Sequence, residues 1–112
     1  MREKAINALT EMGAHLSLSS GNKTMNGFVY IVFIMQIYEE HGCYFSNMRS
    51  CFEIVAKRNG TTWENVMVCV NEAIGNLVEN GNAAAVVKYL GFMPKTSGNF
   101  LAMMYQRLKE EE

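Results

Sequence analysis

From Cys51 to Asn82 the chain reads "CFEIVAKRNGTTWENVMVCVNEAIGNLVENGN". With Met48 just upstream, Cys51, Phe52 and Val55 recur at helical spacing, which predicts a helix over about Ser46–Arg58. Lys57 and Arg58 suit the negative end of that helix, and Gly60 suits the turn that follows. "TTWE" then restarts a helix as a capping box, in which Thr61 caps and Glu64 reaches back. Beyond it Val66, Val70, Ala73, Ile74 and Leu77 fall on one stripe, the buried face of a second helix over Thr62–Glu79. That helix carries Glu64, Glu72 and Glu79 and no lysine or arginine.

The rest of the chain follows the same period. Ile6, Leu9 and Met12 share one side of a helix over about Arg2–Met12, and a polar stretch over Ser17–Gly27 follows. "GFVYIVFIMQIY", Gly27–Tyr38, reads as a buried core helix from about Phe28 to Glu40, too short to cross a bilayer. After the central pair, Asn82 can cap a short helix "AAAVVKYL" stopped by Gly91. A last helix begins near Thr96–Ser97 and turns Phe100, Leu101, Met104 and Leu108 inward. The expectation is one all-α domain over residues 1–112, a compact bundle of five or six helices containing a helix-turn-helix.

Composition agrees with a folded domain. Of 112 residues, 49% are hydrophobic and 19% charged, and there is one proline, Pro94. The formal net charge of −1 and pI of about 6.1 give no overall basic surplus of the kind nucleic-acid binders usually carry. A local basic patch remains compatible with that balance. The three cysteines, Cys43, Cys51 and Cys69, sit in apolar surroundings and read as reduced, buried thiols of a cytoplasmic protein. No secretory signal is recognised at the start, and the sequons at Asn22 and Asn59 carry no meaning in such a chain.

Catalysis and metal chemistry find little support. The chain has no aspartate, which excludes a phospho-acceptor aspartate, an EF-hand loop and a Ser-His-Asp triad within it. His15 and His41 are far apart, and "HGC" at His41–Cys43 is the one close His/Cys pair, with no CxxC or HxxxH to build a zinc site. The nine methionines fit core filling better than a plastic groove. No cofactor and no small-molecule substrate is expected, and the chain is not expected to be an enzyme.

A turn rich in Gly, Asn and Thr between two amphipathic helices is what a helix-turn-helix requires, although many helical domains contain such a corner. "IVAKRNGTTWENV" (Ile54–Val66) further resembles the helix-turn-helix of the C-terminal DNA-binding effector domain of the stage-zero sporulation protein A family, response regulators of endospore-forming Firmicutes. "ALTEMG" (Ala8–Gly13), "GFVY" (Gly27–Tyr30), "AI" (Ala73–Ile74), "NGN" (Asn80–Asn82) and "KTSGNFLAMMYQRL" (Lys95–Leu108) resemble further parts of that domain in order. The resemblance spans roughly Ile6–Leu108.

It implies a six-helix bundle whose second central helix enters the major groove of double-stranded promoter DNA, with possible self-association on tandem sites. The groove-facing positions would be Glu64, Asn65, Val68, Asn71 and Glu72. The family usually has arginine at the positions of Asn65 and Val68, and basic or histidine residues near Asn71 and Glu72; this chain has none of them. Lys57, Arg58, Thr61, Thr62 and Lys95 would contact phosphates, which positions a protein without specifying sequence. The stretch around Ser17–Thr24 is longer than the family's connection, and the family's receiver domain has no counterpart here.

Two readings follow. In one, the domain is a transcription regulator with altered specificity, reading bases through Asn65, Asn71 and Glu64. In the other it keeps the fold, no longer binds DNA, and acts through protein contacts at Val68 and Met67. The plain alternative for the glutamates is a solvated helix face; for the asparagines, poor helix formers, it is a local structural reason.

Overall fold

The computed structural model describes residues 1–13, 23–42, 45, 47–90 and 97–110. Among them six helices form and no strand: α1 Arg2–Glu11, α2 Lys23–His41, α3 Met48–Asn59, α4 Trp63–Asn80, α5 Ala83–Leu90 and α6 Ser97–Glu110. The fold is all-α. No helix among the described residues is long and apolar enough to cross a membrane.

Helix ends are set by side chains that satisfy orphan backbone groups. Asn47 caps α3 by accepting from the Arg49 N–H at 3.0 Å. Gly60 ends α3 at a φ of 67°, the left-handed conformation that costs glycine little, and the Thr61 N–H closes the turn onto the Ala56 carbonyl at 3.0 Å. Asn82 caps α5 as expected, accepting from the Ala85 N–H at 3.3 Å.

Two expected boundaries move. The cap of α4 is Thr62, whose hydroxyl oxygen accepts from the Asn65 N–H at 3.2 Å, so the expected capping box at Thr61 and Glu64 is displaced. Both threonines fit the motif, but once Gly60 turns the chain and the Thr61 N–H is held by α3, Thr62 is the residue left extended, at φ −103° and ψ 154°. α2 begins at Lys23 rather than near Phe28. Gly27 therefore lies inside the helix, at its crossing with α4, where the absence of a side chain lets the two backbones approach.

One core joins all six helices. α4 contributes Val66, Val70, Ala73, Ile74 and Leu77, all buried, as the periodicity requires. α6 turns in Phe100, Leu101, Met104 and Leu108, together with Tyr105. α1 is rotated slightly from expectation: Ala5, Ala8, Leu9 and Met12 are buried and Ile6 is half-buried. Each fully buried Leu, Ile, Phe or Met side chain contributes about 1.5–3 kcal/mol, so the apolar stripes rather than helix propensity hold the bundle together. The end of α1 is tied to the α4–α5 turn, where the Asn82 N–H donates to the Met12 carbonyl at 2.9 Å.

Candidate nucleic-acid interface

The α3–α4 corner is held from below by aromatic packing. Tyr38 of α2 is buried, stacks on Phe45 with centroids 5.7 Å apart, and meets Tyr105 of α6 edge-on at 5.6 Å. Its hydroxyl donates to Met48 Sδ at 3.3 Å, at the first residue of α3. Arg49, one residue on, lies over the Trp63 ring at 4.5 Å and so bridges the start of α3 to the start of α4. Such a cation–π contact at an exposed site is worth about 0.5–1 kcal/mol. Sequence reasoning did not find it, because residues fourteen positions apart on different helices share no local periodicity.

With α4 anchored by its buried stripe, the opposite side faces outward. Glu64, Val68, Asn71 and Glu72 fall on that side at i, i+4, i+7 and i+8, and all four are exposed. Val68 is one of three large apolar side chains exposed among the described residues, at 37%. Gly75 continues the same line, with open space where a side chain would stand. The line thus has two carboxylates, one aliphatic side chain between them, and one amide.

Asn65 is placed differently. It lies on the flank of α4 toward Cys69 and is half-buried. Its carboxamide NH2 donates to Thr61 Oγ1 at 2.9 Å, and its Oδ1 accepts from the Cys69 thiol at 3.8 Å. This chain of side chains, Thr61–Asn65–Cys69, fastens the first two turns of α4 to the turn before it. Asn71 is also engaged, its Oδ1 accepting from the Ser97 hydroxyl at the first residue of α6. Both asparagines therefore have the local structural partners that a poor helix former needs.

The cations lie at the other end of the corner. Lys57 and Arg58 are exposed on the last turn of α3, and Thr62 is exposed at the cap. Arg58 Nη2 reaches Glu40 Oε2 of α2 at 3.1 Å, and Arg49 Nε reaches Glu53 Oε1 at 2.9 Å. Lys57 has no carboxylate partner among the described residues. Lys95, the third cation expected at the phosphates, lies outside the described residues. The structure thus joins Lys57, Arg58, Thr61, Thr62, Glu64, Asn65, Val68, Asn71 and Glu72 in one corner and the helix that leaves it.

The two described thiols, Cys51 and Cys69, are reduced and buried, and Cys43 lies outside the described residues. Burial pushes the Cys51 thiol up to about 12. Tyr30, near Cys69, is likewise raised, first by burial and then by that thiol's charge. Among the described residues no group of three His, Cys or Glu side chains is arranged to hold a metal ion.

Compared with family models, curated proteins and solved structures, the chain matches none.

Proposed function

We propose that this chain is a DNA-binding domain of a cytoplasmic bacterial transcription regulator, of the sporulation-effector type that its sequence resembles, with a changed and weakened base preference. The observation that carries this reading is the corner itself. A left-handed Gly60 turn and a Thr62 cap join two helices, the second of which keeps Glu64, Val68, Asn71 and Glu72 exposed along one side, with Ser97 of α6 meeting it at Asn71. Lys57 and Arg58 stand on the preceding helix end, where they would meet phosphates flanking a groove occupied by α4. Self-association on adjacent sites belongs to the same reading.

The test is selection of retained duplexes from a random pool, at low and at moderate salt, followed by sequencing. An enriched motif whose retention weakens with Lys57→Ala supports the proposal. No retention even at low salt overturns it.

A second reading has its own observation. Val68 lies exposed between Glu64 and Glu72, an arrangement that also suits a basic protein partner with an apolar contact residue. It gains ground if the pool experiment retains nothing.

A further inference from the structure

The outer line of α4 has a donor–acceptor character that restricts what it can read. Asn71 on that line and Asn65 beside it, both able to donate and to accept, hold protein partners in Thr61, Cys69 and Ser97. Glu64, Val68 and Glu72 hold none among the described residues. An ionised carboxylate only accepts hydrogen bonds. In the major groove the donors are the amino groups of cytosine and adenine, whereas guanine presents two acceptors and thymine an acceptor and a methyl group.

We infer that α4 reads a pyrimidine-rich strand: Glu64 and Glu72 accept from cytosine amino groups, and Val68 packs on the methyl of a thymine between them. The inference rests on the DNA-binding reading above. Cytosine is preferred over adenine because adenine sets the acceptor N7 beside its amino group, against the carboxylate. Guanine on that strand is rejected outright, since O6 and N7 would both face the negative charge. The spacing agrees: residues four apart on a helix are separated by about 6 Å along its axis, close to two base-pair steps of about 3.4 Å. This base code is the reverse of the usual arginine–guanine one, and it follows from the absence of any cation on α4.

The experiment uses the full chain and the duplex recovered from the random pool, with each thymine replaced in turn by uracil, which deletes the methyl alone. At one position uracil weakens binding by about fourfold, the value of one buried methyl. Val68→Ala binds the thymine duplex about fourfold more weakly and no longer distinguishes thymine from uracil. Val68 is exposed, so circular dichroism of that variant stays unchanged. In the recovered motif, guanine is depleted on that strand at the positions two base-pair steps to either side of that thymine. Retained duplex that tolerates uracil at every position, or that enriches guanine on that strand two steps from the thymine, overturns the base code and leaves DNA binding standing. Failure to retain any duplex at low salt removes both.

Discussion

Gly27 of α2 stands directly against the main chain of Cys69 in α4: a Cβ added at Gly27 would overlap the Cys69 carbonyl, 2.6 Å from its carbon, and lie 2.7 Å from the Ala73 Cβ. The close approach of the two central helices depends on that missing side chain. In an ordinary helix interior, glycine to alanine gains about 1 kcal/mol. Here the obstacle is backbone, which cannot swing aside as a side chain does, and overpacking typically costs about 1–3 kcal/mol or more. Gly27→Ala is therefore expected to destabilise by roughly 2 kcal/mol, read as a lower urea midpoint. An unchanged or higher midpoint would contradict the crossing described.

Gly75 supplies the opposite case on α4. A side chain there meets nothing within 4 Å. Gly75→Ala should raise stability by about 1 kcal/mol, because only the helix-propensity term remains. The two glycine variants measured side by side separate close packing from propensity.

At the corner, Thr62→Ala removes the cap of α4 and should cost about 1 kcal/mol, with Thr62→Ser restoring most of it. Asn65→Ala should cost about as much, since it releases both Thr61 and the Cys69 thiol. The informative comparison is with the motif recovered by selection. Loss of stability with an unchanged motif assigns Asn65 to holding α4 in position; a changed base at one place assigns it to contact with DNA.

The parts of this fold that were legible in the sequence are those governed by one helix at a time. Val66, Val70, Ala73, Ile74 and Leu77 declare their buried face through spacing alone, as do Phe100, Leu101, Met104 and Leu108. Gly27 misled because a glycine after a polar stretch looks like a boundary, whereas the second helix it serves is more than forty residues away. Thr61 and Thr62 are equivalent as letters; the Thr61 N–H bond to Ala56 decides between them. The outer line of α4 was readable as exposed. That Asn71 reaches Ser97 on α6, and Asn65 turns back to Thr61, depended on tertiary placement that periodicity does not encode.

Alkaline pH probes the core. Burial moves the Cys51 thiol from an ordinary value of 9.0 to about 12, and Tyr38 is raised above its ordinary 10.0 by burial and by the neighbouring Cys51. Both groups are neutral acids that the folded chain keeps protonated more tightly than the unfolded one. Their stabilising effect is complete below pH 9, and stability falls as pH rises between 9 and about 12, by up to about 1.4 kcal/mol per unit for each group in play. Urea midpoints at pH 8, 9.5 and 10.5 should fall in order. Cys51→Ala, though less stable at pH 8, should show a shallower fall between pH 9 and 10; an equal slope would mean the thiol titrates as if exposed.

Salt dependence tests how few cations the proposed DNA interface has. If Lys57, Arg58 and Lys95 each neutralise one phosphate, log affinity against log salt should fall with a slope of about −2.7, from about −0.9 per contact. Lys57→Ala should weaken binding to every duplex alike and make the slope shallower by about 0.9. Arg58 differs, because Glu40 already holds it at 3.1 Å and must release it on binding. An exposed pair of this kind is worth only about 0–1 kcal/mol, so Glu40→Gln should tighten DNA binding by up to about fivefold at low salt while changing stability little. Tightening by Glu40→Gln that disappears in the Arg58→Ala background would tie the effect to that guanidinium. Equal tightening in both backgrounds would instead assign it to the removal of a negative charge near the phosphates.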